Sequence, residues 1–111
     1  MKAAGTTSAA FAHEMHQAMA KMMSAMSATP MTADVDQNFL SMMIPHHAGA
    51  VEMARLLLVH GDDPLVRQLA EEIIASQQAE IASMQGRLAY LRRPERQGTQ
   101  EFPVLGGTRG R

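Results

Sequence analysis

The sequence predicts an all-α fold, an antiparallel bundle of three helices. Apolar residues recur at alternating spacings of three and four along three long segments, the mark of helices with one packed side. Each segment opens on a side chain that caps helix N-termini: Ser8, Thr32 and Asp63. Only three residues separate the second segment from the third, which folds them into an antiparallel hairpin.

The chain has 111 residues, enough for one domain with a modest core. Its apolar fraction is 46%, yet aromatics make up 4% and eleven residues are Met. Ten basic residues against eleven acidic ones give no electrostatic case for nucleic acid. No apolar run approaches the roughly 20 residues that cross a bilayer, so no membrane insertion is expected. The lack of Cys removes disulfides, thiolate metal sites and cysteine nucleophiles, and suits an oxidising compartment. Residues 1–7 are small and polar, without the apolar centre of a signal peptide. They are expected to be disordered; either the protein stays inside the cell or a leader has been removed.

The first helix is expected over residues 8–27. Its organised face is Phe11, Met15, Met19, Met22 and Met26, flanked by His16 and Met23, with His13 a step further round. Methionine fills irregular gaps and specifies packing poorly, so the stripe reads both as adaptable core and as a ladder of thioether ligands. His13-Glu14-Met15-His16 is not the zinc-protease motif, which needs its two His four residues apart around a Glu.

Residues 28–31 form a linker. The second helix is expected over 33–60, capped by Thr32, with Asp34 and Asp36 near its positive end and Gly61 closing it. His60 reads as a partner of the negative helix end. Phe39, Met43, His46, Ala50, Met53, Leu57 and His60 make one seam; Leu40, Ile44, His47, Val51, Ala54 and Leu58 make an adjacent one. Both histidines are therefore expected to face inward, with Asn38, Ser41, Pro45, Ala48, Glu52 and Arg55 toward water. Pro45 denies the Ser41 carbonyl its donor, at a cost of about 3 kcal/mol unless compensated, and a kink is expected. Met42 precedes His46 by four residues and Met43 precedes His47 by four, so each imidazole has a thioether neighbour. Imidazole suits copper, zinc, iron and nickel, while thioether selects soft Cu(I).

Asp63 and Pro64 open the third helix, expected over 64–92. Its seam is Ala70, Ile73, Gln77, Ile81, Met84, Leu88 and Leu91. Centring the hairpin on Asp62 puts Gln77 opposite His47, where its amide is expected to hydrogen-bond an imidazole. The helical domain is thus expected over 8–92. Residues 93–111, rich in Arg and Gly, read as a flexible tail, with Phe102-Pro103-Val104-Leu105 as the part able to dock.

The run Asp36…Phe39…Met42-Met43-Ile44-Pro45-His46-His47…Ala50-Val51…Met53-Ala54 resembles the signature of the CopM-like copper metallochaperones, exported bacterial proteins long labelled a domain of unknown function. Asp63-Pro64…Val66-Arg67…Leu69-Ala70-Glu71-Glu72-Ile73-Ile74…Gln77…Glu80-Ile81…Met84 and the upstream Met/His helix fit the same pattern, over about residues 8–91. Arg87 departs from it, standing where a Trp is common. The resemblance implies a ferritin-like helical bundle, a periplasmic or secreted setting, and copper held by Met and His. Carried onto this chain, the ligands are His46, His47, Met42, Met43 and Met53, with Met15, His16, Met19, Met22, Met23 and Met26 from the first helix; His13 joins them on the residue reading.

The expected function is copper binding, Cu(I) before Cu(II), as a chaperone or sequestering buffer in copper tolerance. Thioethers do not titrate and hold Cu(I) in acid, while His13, His16, His46 and His47 add affinity near neutral pH. A copper-transport or resistance protein is the expected recipient. The alternative is a metal-free interaction module in which two subunits pair through a Met-rich interface, and a homodimer is expected. No Glu-x-x-His occurs, so the ligand pattern of a di-iron carboxylate oxidase is missing and no enzyme is expected.

Overall fold

Asp34 and Asp63 begin the two best-defined helices, each by the same device. The Asp34 carboxylate accepts from the Gln37 backbone N–H at 3.0 Å, and Asp63 accepts from the Val66 N–H at 2.9 Å. Each satisfies a first-turn donor that has no partner inside its helix. The computed structural model describes residues 4–94; within them lie α1 (Ala4–Ser27), α2 (Val35–His60) and α3 (Pro64–Leu91), and no strand. The all-α expectation holds. Residues 1–3 and 95–111, with most of the expected tail and its 102–105 run, lie outside the described residues.

Two boundaries differ from the expected ones. α1 starts at Ala4, so the helix takes in part of the stretch expected to be disordered and Ser8 does not cap it. α2 starts two residues late because Asp34, not Thr32, is its N-cap. Thr32 instead braces the turn: its hydroxyl accepts from the Asp34 N–H at 3.1 Å, and its backbone exchanges two 2.8 Å hydrogen bonds with the Asn38 side chain. A carboxylate at the positive helix end outcompetes a hydroxyl. α2 runs unbroken through Pro45. Gly61 closes it with extended backbone, φ −83°, so no left-handed turn explains this glycine. Space does: a Cβ there would lie 2.8 Å from both the Leu57 carbonyl oxygen and its Cδ2. Arg67 ties the hairpin by donating to the carbonyls of Leu58 (2.6 Å) and Gly61 (3.0 Å).

α2 lies between α1 and α3, which scarcely meet each other. The helices therefore stand side by side, with α2 packed on two opposite sides. Toward α1 it presents Gly49 and His60; toward α3, His47, Val51 and Ala54. The core is thin: Ala18, Val51, Ala54, Ala70 and Leu88 are its buried apolar residues, and no large side chain is fully buried among the described residues.

This arrangement revises the expected faces. Ala18 replaces Met19 in the α1 seam, since Met19 is 44% exposed. On α3, half-buried Ile74 turns inward in place of Ile73. Phe39 and His46 are exposed, because their seam lies between the two packed sides of α2. Ala48 is exposed as expected, whereas Pro45, also expected on the wet side, is half-buried; both line a cavity of about 160 Å³ against Lys21 and Ala25 of α1.

Candidate functional site

Two contacts fix how α1 lies on α2. Met22 covers Gly49 so closely that a Cβ there would stand 2.5 Å from its Sδ. Toward the other end, Glu14 meets His60 Nε2 at 2.7 Å, and the Phe11 ring stands edge-on to the same imidazole, centroids 5.7 Å apart. His60 thus sits in the last turn, as expected, but its ring partner is a carboxylate of another helix. With 3.6 residues per turn, this antiparallel register sets Met26 level with His46, Met23 level with Gly49, and Met19 level with Met53.

The same register sorts the side chains between the two broad faces of the layer. Lys21, Ala48 and Glu52 share one face, where they line the cavity; Ser41 and Arg92, hydrogen-bonded at 3.1 Å, lie there too. The opposite face carries Met19, Met23 and Met26 of α1 and Met43, Ala50 and His46 of α2. Met26 and Met43 are half-buried, whereas Met23 and His46 are exposed. Sulfur and imidazole thus share one face over about two turns of α2. Met42 and Met53, both half-buried, lie on the side of α2 turned to α1, beside the stripe of Met15 and Met22.

His47 is placed differently. Its Nδ1 lies 3.0 Å from the Met43 carbonyl oxygen and its Nε2 2.6 Å from Glu80 Oε1. Both ring nitrogens are engaged, and the side chain is 13% exposed. The His46 and His47 rings tilt apart, centroids 6.1 Å and planes 59°. Glu80, not Gln77, meets His47: the α2/α3 register is shifted by three residues, about 4.5 Å along the axis, from one centred on Asp62. Gln77 is half-buried and forms no described hydrogen bond to an imidazole. Sequence reasoning passed over Glu80 because a lone glutamate on a helix reads as a solvated charge. A carboxylate that far from the hairpin loop becomes a candidate only once the register is known.

His13 and His16 are exposed on the side of α1 away from α2. His16 stands about 15 Å along the axis from the level of His46, at 1.5 Å per residue. The twelve candidate ligands therefore do not form one site. Among the described residues, no three His, Asp or Glu side chains converge as a metal-binding group. A metal held here would depend on thioethers. No helix among the described residues is long and apolar enough to cross a membrane.

The chain is similar to the uncharacterized protein L153 of Acanthamoeba polyphaga mimivirus, 45% identical over 49 residues, which are 44% of this chain. The match spans about a third (32%) of that curated relative's length. The model of the family described as "Domain of unknown function (DUF305)" matches residues 1–88. That match takes in all of α1 and α2 and nearly all of α3, and the chain belongs to the DUF305 family.

Proposed function

We propose that this protein binds copper, as Cu(I) first and Cu(II) second, and serves as a metallochaperone or sequestering buffer in a periplasmic or secreted setting. The observation that carries this reading is the face that Met23 and Met26 of α1 share with Met43 and His46 of α2. Three thioethers and one imidazole make a soft donor set, which suits Cu(I) better than zinc or a hard cation. The residues fit copper by this chemistry, with His46 exposed and its ring nitrogens turned to no other described group. Met19 continues the stripe one helical turn on from Met23. An ion held mainly by neutral, weakly bound sulfur can pass along such a stripe to a copper-transport or resistance protein. Completion into a ferritin-like four-helix core belongs to the same reading, since three helices side by side leave a face to be covered.

The test is competition for Cu(I) against a coloured Cu(I) chelator. Wild type is compared with a variant carrying His46→Ala, Met23→Leu and Met26→Leu, where Leu keeps the apolar volume. Affinity should fall at least tenfold. A variant that holds Cu(I) as tightly as wild type removes these residues as the site.

A further inference from the structure

The face that carries Met23 and His46 also exposes large apolar side chains of all three helices. Phe39 is 59% exposed, Leu69 57% and Ile73 43%. The register that brings Glu80 to His47 sets Ile73 level with Ala54 and Leu69 level with Leu58, on the same side as Met19 and Met23. One band therefore crosses all three helices, from Phe39 past Met23 and Met19 to Ile73 and Leu69. Between the levels of Phe39 and Leu57, neither α1 nor α2 puts a Lys, Arg, Asp or Glu on it, whereas α3 sets Glu80 and Arg87, at heptad spacing from Ile73, along its edge. Its central position on α2 is Ala50, a side chain small enough to let another helix approach closely. The opposite face carries Lys21, Glu52, Arg67 and Arg92 and needs no cover.

We infer that a second copy of this chain docks on this band, face to face. Two observations select that occupant. The need for cover arises from this chain itself: among the described residues the buried core is three alanines, one valine and one leucine, small beside the apolar surface that helices of this length leave exposed. Phe39, Met19, Met23, Leu69 and Ile73, 43% to 59% exposed, present on the order of 500 Å², a large part of the roughly 800 Å² each partner gives to a stable interface. Stacking two three-helix layers would turn the half-buried rows on this side into the middle of one two-layer core.

This inference does not rest on copper binding, and its test keeps the two apart. The full chain is run in analytical ultracentrifugation with a copper chelator present. A particle of twice 12.1 kDa is expected. Leu69→Glu with Ile73→Glu should weaken dimerisation at least 100-fold while the helical circular dichroism persists. Val59→Glu, at an exposed position on the other face, should leave the dimer intact. Because the chain has no Cys, a second readout is available if the double variant unfolds. Met23→Cys should give a covalent dimer with a short bis-maleimide, and Gln78→Cys should not. A wild-type monomer in chelator overturns the inference, whether residues 95–111 or another protein covers the band. So does a dimer cross-linked through Gln78→Cys and not through Met23→Cys. A chelator-stable dimer supports it whatever the copper titration shows.

Discussion

Met22 and Gly49 touch at the point where α1 crosses α2: the methionine side chain occupies the space a Cβ would need. The three nearest atoms to such a Cβ, at 2.5 to 2.9 Å, are the Sδ, Cγ and Cβ of Met22. The glycine is there for proximity, since it sits inside a regular helix.

Gly49→Ala therefore sets two effects against each other. Helix propensity favours alanine by about 1 kcal/mol. Overpacking costs about 1–3 kcal/mol, and the Cβ of Met22 cannot swing away as its Sδ can. Net destabilisation of about 1 kcal/mol is expected, read as a lower midpoint in urea. In a Met22→Ala background the same change should become neutral or stabilising, so the double-mutant cycle should show coupling.

Gly86 is the contrasting position. No heavy atom lies within 4 Å of where its Cβ would go. Gly86→Ala should stabilise the protein by about 0.5–1 kcal/mol through helix propensity and a less free unfolded chain. A thermal melt showing no rise would mean α3 is not helical at that point.

The two aspartate caps should each be worth about 1 kcal/mol. Asp34→Ala and Asp63→Ala are expected to lower stability by that amount, while Thr32→Ala, which braces the turn without capping, should cost less. Denaturant titration of the three variants gives the ranking, and Thr32→Ala as the costliest would put the helix start back at residue 33.

The histidines should separate in copper binding. His47 has both ring nitrogens occupied, by the Met43 carbonyl and by Glu80, and copper would have to displace one of them. His46→Ala should weaken Cu(I) binding more than His47→Ala does. His47→Ala should instead show mainly as lost stability. Because Glu80 is 57% exposed, its contact with His47 contributes under about 1 kcal/mol, so Glu80→Gln should be mild. Equal copper losses at the two positions would argue against the division.

Helix positions were legible because their signals are local. Asp63-Pro64 and Gly61 mark one end of a helix and the start of the next within four residues. What was not legible was which sides of α2 are packed. Heptad reading assumes one continuous core side, but α2 is packed on two opposite sides, so the seam through Phe39 and His46 falls between them. Alanine gives no hydrophobic signal strong enough to mark Ala18 above Met19. Glu80 was hidden by a shift of three residues, set by side-chain packing between the helices and not by the loop that joins them.

Because α1 and α3 each lean on α2 and scarcely on each other, either could detach without undoing the other's packing. Opening should then come in pieces: amides of α1 should exchange with deuterium ahead of those on α2, whose middle turns are shielded from both sides. A hairpin that outlives the loss of its first helix would let the half-buried sulfur of Met15, Met22 and Met42 meet the solvent fully without global unfolding.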